Sequence, residues 1–179
     1  MPHFWKPLRQ ALLAVTVLGL AACGEQMEPL SPEAGQPALK TINGVTFVPL
    51  KHGRSIAAAG TVQRVPGKSG ATISLDDATL VIQPGSVSDP NATITMSAAN
   101  DGYLTFIFGP SGLSFSPAAK LTISVAKAEM SGLDPNQLRI AGASDSADDW
   151  QVIGGVYDAA TNTVTVDIDH FSRYALCIE

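Results

Sequence analysis

Charged residues are scarce in this sequence. They make up 15% of its 179 residues, compared with roughly a quarter in an average soluble protein. The formal net charge is −5, and no basic stripe follows Arg9; Lys51, His52 and Arg54 form only a small local group. A nucleic-acid interface needs clustered lysine and arginine to meet the phosphates. The sequence therefore predicts no nucleic-acid partner.

Metal ligands are equally sparse. The chain has three histidines and two cysteines, and one of the histidines lies in the N-terminal leader. Because structural zinc sites take four Cys or His ligands, we predict no zinc site. Asp145, Asp148 and Asp149 crowd one loop, but the glycine and terminal glutamate of a calcium loop are missing. We interpret that loop as a solvated hairpin tip and predict no metal site.

Helical periodicity is nearly absent, and an alternation of apolar and small polar residues takes its place. The clearest example is residues 70–97, GATISLDDATLVIQPGSVSDPNATITMS. A period of two places one set of side chains on a buried sheet face and the other set in water. Asp, Asn, Pro and Gly clusters interrupt the pattern where the backbone must turn. This segment predicts three short antiparallel strands whose inward set is Ile73, Leu75, Leu80, Ile82, Ile94 and Met96.

Further short strands follow at intervals of roughly 8–12 residues, a spacing that indicates a sandwich or a barrel. We predict an all-β fold, an antiparallel β-sandwich. The Gly154-Gly155 pair inside one strand predicts a bulge. The remaining strands are expected at residues 103–108, 121–126, 138–143, 150–156, 163–168 and 172–178, with residues 55–65 leading into the sheet.

Residues 1–22 have the pattern of an export signal, a short basic region followed by an apolar run over residues 11–22. The run is too short to span a bilayer, which needs roughly 20 residues. It ends in Leu20-Ala21-Ala22-Cys23, which resembles the lipobox of bacterial lipoproteins. The resemblance implies cleavage between Ala22 and Cys23, a covalent lipid on Cys23 and, from Gly24, sorting to the outer membrane. The alternative is an ordinary secretory signal whose cleavage site lies beside a cysteine.

The segment after the leader is rich in proline and glutamate and has no apolar period, as expected of a flexible tether. We therefore predict a signal peptide at residues 1–22, a lipidated tether at 23–54 and a folded domain at 55–179. Residues 45–50 contain a possible strand, and the sequence leaves open whether it joins the domain. With Cys23 lipidated, Cys177 has no cysteine partner in the chain, and we interpret it as a small buried hydrophobe.

Two blocks resemble the ZU-five domain, a β-sandwich module of ankyrins, netrin receptors and bacterial surface proteins. The first is LVIQPGSV at residues 80–87 with ITM at 94–96, and the second is GPSGLSFSP at 109–117 with LTI at 121–123. The resemblance covers about residues 70–174 and departs at Gln83, Ser86 and Val87. It implies an interaction or structural module without a cofactor.

Asp169-His170-Phe171-Ser172 follows directly on a predicted strand and resembles the self-cleaving His-Phe-Ser site of some ZU-five-containing domains. Cleavage would require His170 as a base for Ser172, a strained Phe171–Ser172 peptide and an oxyanion donor. The alternative is a sharp corner where His170 and Ser172 bond the backbone while Phe171 and Tyr174 pack against the edge of the sandwich. Because Phe171 breaks the alternation of its neighbours, a kink is expected near His170.

These observations predict a membrane-anchored bacterial lipoprotein that acts as a non-enzymatic binding or structural module of the cell envelope. The expected partners are the membrane, through the lipid, and an envelope protein or a glycan. One alternative is a self-processing domain that cuts between Phe171 and Ser172. Another is a glycan-binding accessory lipoprotein that stacks sugar rings on exposed Trp150, Tyr103 or Tyr157.

Overall fold

The alternating segments form β-strands. The computed structural model describes residues 38–56, 61–65, 68–89 and 91–179, with the backbone alone for 61–65. Within these ranges thirteen strands make two antiparallel sheets, of eight and five strands. The two sheets enclose one core, so the predicted antiparallel β-sandwich is confirmed. The predicted signal peptide, Cys23 and the tether as far as residue 37 lie outside the described residues.

The larger sheet is built around its last strand. Its members are β1 (Lys40–Ile42), β2 (Val45–Phe47), β3 (Thr61–Val65), β6 (Ala92–Ala98), β7 (Thr105–Gly109), β9 (Leu138–Ala143), β10 (Gln151–Gly154) and β13 (Arg173–Ile178). Strand β9 pairs with the whole of β13, and β2 and β7 share the opposite edge of β13. Outside these lie β10 next to β9, β1 next to β2, and β6 followed by β3 next to β7.

The smaller sheet has the order β11-β12-β8-β5-β4. Its members are β4 (Ala71–Leu75), β5 (Ala78–Ile82), β8 (Ser114–Ser124), β11 (Val156–Asp158) and β12 (Thr163–His170). Strand β8 begins earlier than the predicted residue 121 because its pairing with β12 continues past a register break, from Ile168↔Ala119 to His170↔Ser114. That break is the irregularity expected near His170.

The core between the sheets contains the predicted inward set. Alternate residues of the strands at the centre of each sheet face it, and Ile82, Ile94 and Ile123 are all buried. Each such side chain contributes about 1.5–3 kcal/mol when it is fully buried. The larger sheet also carries a second, smaller apolar cluster on its outer face, formed by Val45, Phe47, Ala141, Ala143, Trp150, Ala175 and Cys177.

The folded part begins before Ser55, the expected start of the domain. Strand β2 pairs with β13, and Val48 and Leu50 lie in the core between the sheets. Residues 45–50 therefore belong to the domain and not to a flexible tether. The pairing of β2 with the C-terminal strand supplies the hydrogen bonds that an isolated short strand lacks.

Gly154 and Gly155 carry the chain from one sheet to the other. Strand β10 lies in the larger sheet and β11 in the smaller, and both glycines have positive φ, 109° and 123°. The β10–β9 register shifts between Val152 and Gly154, as the predicted bulge requires.

Among the residues that the structure describes, no helix has the length and apolar character needed to span a membrane.

Gly70 enters β4 at a position that excludes any side chain. Its φ is +65°, and an added Cβ would lie 2.4 Å from the Ile82 carbonyl oxygen. We expect Gly70→Ala to lower the free energy of unfolding by at least about 2 kcal/mol, measured by urea denaturation. Gly85→Ala is the matched control, because Gly85 has φ +78° and nothing within 4 Å of the added Cβ. An equal loss in both variants would contradict the role of the close contact.

Candidate functional site at the corner between the sheets

The predicted His170-Phe171-Ser172 site lies where the chain passes from the smaller to the larger sheet. Strand β12 ends at His170 and β13 begins at Arg173, so Phe171 and Ser172 form the crossover. The register break with β8 turns the end of β12 away from regular pairing. The three candidate residues are therefore adjacent at a corner, and each has different surroundings.

Phe171 fills the end of the sandwich. Its side chain is 1% exposed and stacks on Phe108 at 5.6 Å between ring centroids, while Phe115 meets it edge-on at 4.8 Å. Its N–H donates to the Leu113 carbonyl at 2.8 Å, and its carbonyl accepts from the Gly112 N–H at 3.2 Å. The loop that precedes β8 thus holds both backbone polar groups of Phe171.

Ser172 and His170 are engaged with different partners. Ser172 is 6% exposed, and its hydroxyl donates to the Ala143 carbonyl at the end of β9. The His170 imidazole lies toward solvent, with Nδ1 2.6 Å from Asp169 Oδ1. That hydrogen bond holds the pKa of Asp169 below its usual value. Among the described residues, no hydrogen bond joins the imidazole to the Ser172 hydroxyl.

Tyr174 closes the corner from the larger sheet. Its hydroxyl donates to the His170 carbonyl at 2.6 Å, four residues earlier in the chain. This is the arrangement of a tyrosine corner, which ties a strand to the turn that precedes it in many sandwiches. Burial raises the pKa of Tyr174, so the phenol remains a neutral donor. The ring lies against Gly142, where an added Cβ would come within 3.1 Å of it.

Tyr174→Phe removes this hydrogen bond and keeps the ring. We expect the free energy of unfolding to fall by about 1–2 kcal/mol, because the His170 carbonyl loses a buried donor. Chemical denaturation measures the change. Tyr157→Phe is the matched control, since the Tyr157 hydroxyl bonds the exposed side chain of Asn162 at 3.0 Å. If Tyr174→Phe unfolds at the same denaturant concentration as the wild type, the Tyr174–His170 hydrogen bond contributes nothing to the stability of the domain.

The corner meets one of the requirements for self-cleavage. The Gly112 N–H is a donor to the Phe171 carbonyl, as an oxyanion site needs. The Ser172 proton, however, points to a backbone carbonyl, which is not a base at neutral pH, and the imidazole is held by Asp169. In this arrangement the Ser172 hydroxyl bonds the neighbouring strand β9, and the His170 imidazole bonds the preceding residue of its own strand.

A cleft of about 700 Å³ opens beside the corner. Asp167, Asp169 and His170 line one wall, and Gln151 and Ile153 line the other, which belongs to β10. The role of β10 in this cleft was not predicted. The sequence predicted a bulge at Gly154-Gly155. It did not predict that the chain passes from one sheet to the other there, because that passage depends on pairing with distant strands.

The aromatic residues proposed to stack on sugars are not brought together. Trp150 is 6% exposed and packs edge-on against Phe47 at 5.0 Å, with the Arg173 guanidinium 5.1 Å from its ring centre. Tyr103 also packs against Phe47, and its hydroxyl donates to the Ala38 carbonyl. Tyr157 lies on β11 in the other sheet. Trp150 therefore offers no open ring face.

The acidic loop and the cysteine have structural contacts. Asp149 accepts from the Ser144 hydroxyl and backbone N–H, and these bonds hold the pKa of Asp149 below its usual value. Within the described ranges, no group of three or more His, Cys, Asp or Glu residues is close enough to hold a metal ion. Cys177 is buried, and burial raises the pKa of its thiol to about 12, so it is protonated at neutral pH.

Comparison with known proteins gives one partial likeness. No protein-family model matches the chain. Part of the chain is 31% identical, over 87 residues, to an amylopullulanase of Thermoanaerobacterium thermosulfurigenes. The match covers 48% of this chain and 4% of that protein. The likeness therefore concerns a small part of a much larger enzyme.

Proposed function

We propose that this chain is a lipid-anchored protein of the bacterial cell envelope that acts as a non-enzymatic binding or structural module. The observation that most favours binding over catalysis is the use of the corner's polar groups. The Ser172 hydroxyl donates to the Ala143 carbonyl, and His170 is bonded to Asp169. Neither group is directed at the other, as a serine nucleophile and its base would be.

The leader supports the anchor. Leu20-Ala21-Ala22-Cys23 stands directly after an apolar run, where the lipobox of a lipoprotein stands. Each buried methylene of an acyl chain contributes about 0.8 kcal/mol, so several chains on Cys23 hold a protein firmly on a membrane. The Pro/Glu-rich segment that follows Cys23 then spaces the domain from the bilayer. Gly24 after the cysteine favours the outer membrane as the location.

Cell fractionation tests the proposal. We expect the full chain, expressed in a two-membrane bacterium, to sediment with membranes, to resist extraction by high salt and to be released by detergent. Acyl chains in a bilayer are insensitive to ionic strength, whereas peripheral electrostatic binding is screened. Release by salt alone, or recovery in the soluble fraction, would overturn the lipid anchor.

Glycan binding is a second candidate, favoured by the partial likeness to an amylopullulanase. Because Trp150 is buried, a sugar would have to contact the polar side chains of the cleft, among them Gln151 and Asp149. Titration of the protein with the linear α-glucan maltoheptaose tests this candidate. Shifts of NMR signals from the cleft would support it, and unchanged spectra at saturating glucan would exclude that ligand class.

A further inference from the structure

The smaller sheet stops short beside the cleft. Strand β11 pairs only with the first part of β12, from Asp158↔Thr163 to Val156↔Thr165. From Val166 to Ile168, the strand that pairs with β12 in the described structure is β8, on the other side. Within the described ranges, no strand pairs with the other edge of residues 166–170. That edge presents backbone N–H and C=O groups, apart from the His170 carbonyl, which accepts from the Tyr174 hydroxyl. Such an edge is a template for pairing with another chain.

The larger sheet leaves an apolar surface opposite this edge. Ile153 of β10 is 42% exposed and lines the cleft. It lies on the inner face, next to Gly142, where an added Cβ would come within 3.4 Å of Ile153 Cγ2. Inner-face residues of the neighbouring strands β9 and β13, such as Ile140 and Leu176, are buried in the core between the sheets. Ile153 is left open because no described strand continues β11 along β12.

The rim of the cleft is acidic. Asp149 lies on the larger-sheet side, and Asp167 and Asp169 lie on β12. Lys120 pairs with Asp167 at 3.0 Å, and the Arg173 guanidinium acts electrostatically on Asp149. The three carboxylates still outnumber these two cations. Charged residues on an edge strand prevent pairing with unsuitable chains. The same charges favour a segment with positive side chains.

We propose that this cleft binds an extended segment of a partner protein, flanked by lysine or arginine, as an added strand along residues 166–170. The inference rests on the binding role proposed above. Five residues of strand span about 17 Å, and the cleft of about 700 Å³ is in the usual range for a binding pocket. Backbone pairing supplies affinity, and an alternate apolar side chain of the segment packs on Ile153.

Two other occupants fit the charges less well. A second copy of this chain would bring Asp167 and Asp169 against the same residues of its neighbour, because edge-to-edge pairing of identical strands opposes like charges. The chain's own segment at residues 24–37 carries Glu25, Glu28 and Glu33 and no lysine or arginine. It also contains three prolines, which cannot donate to a strand ladder.

Peptide titration followed by NMR tests the proposal. The probe is the synthetic peptide Lys-Val-Thr-Val-Thr-Val-Lys, added to the isotope-labelled full chain in detergent. We expect saturable shifts of the amides of residues 166–170 and of the Ile153 methyl groups, with slower amide exchange along that edge. The same peptide with glutamate ends, or with proline at the centre, should bind about tenfold more weakly or not at all.

A charge-reversed variant makes the test specific. Asp167 and Asp169 are exposed side chains, so Asp167→Lys with Asp169→Lys should fold normally and should exchange the preference, binding the glutamate-ended peptide better. Absence of shifts at saturating peptide, or shifts elsewhere on the domain, would overturn the proposal. Equal shifts caused by maltoheptaose, by a peptide of residues 24–37, or by raising the protein concentration without any peptide would also overturn it. None of these outcomes bears on the proposals that the protein carries a lipid anchor and that its chain is uncut.

Discussion

Cys23→Ala is expected to abolish incorporation of labelled palmitate into the protein, while Cys177→Ala leaves it unchanged. The two cysteines make a matched pair. Cys23 follows Leu20-Ala21-Ala22 in the position that the lipobox resemblance assigns to the acylated residue. Cys177 lies in β13, where it is buried, and burial raises the pKa of its thiol to about 12. A buried, protonated thiol is a poor nucleophile.

The measurement is the radioactivity of the purified protein after growth with labelled fatty acid. We expect full label in wild type and Cys177→Ala and background label in Cys23→Ala. Label that persists in Cys23→Ala would contradict the predicted anchor. Loss of label in Cys177→Ala with normal expression would place the lipid on Cys177 and not on Cys23.

Phe171→Ala is expected to lower the free energy of unfolding by about 3–5 kcal/mol. The side chain is 1% exposed and contacts the rings of Phe108 and Phe115, so its removal leaves a cavity at the end of the sandwich. That loss is a large fraction of the 5–15 kcal/mol that usually separates folded from unfolded domains. Urea denaturation followed by tryptophan fluorescence measures it, since Trp150 is buried in the folded state.

His170→Ala is the control for the same corner. Its imidazole lies toward solvent and bonds only the exposed Asp169 carboxylate among the described residues, so we expect a change within about 0.5 kcal/mol. If Phe171→Ala lowered the free energy of unfolding as little as His170→Ala, the corner would not hold the sheets together. The difference between the two variants therefore measures the architectural role of Phe171.

Local patterns in the sequence predicted those features that depend on neighbours in the chain. Alternation in residues 70–97 predicted β4, β5 and β6, because side-chain direction along a strand has a fixed period. The break in alternation at Phe171 predicted the irregularity near His170. The Tyr174–His170 hydrogen bond was not predicted, although it is also local: a tyrosine four residues after the end of a strand can reach back to it.

Features that depend on distant pairing were not predicted. Residues 45–50 belong to the domain because β2 pairs with β13, far along the chain. The Ser172 hydroxyl finds the Ala143 carbonyl only because β9 lies next to β13. The cleft arises from the separation of β10 and β11 into different sheets. Composition and periodicity carry no information on which strands become neighbours.

The intact mass of the protein purified from bacterial membranes tests the central claim most directly, since that claim joins a lipid anchor to an uncut binding module. We predict a single species that begins at Cys23, continues uncut through Phe171 and Ser172, and is heavier than its polypeptide by the mass of the acyl groups. Two fragments, one of them beginning at Ser172, would contradict the account and establish self-cleavage. A single chain without acyl groups would contradict the anchor.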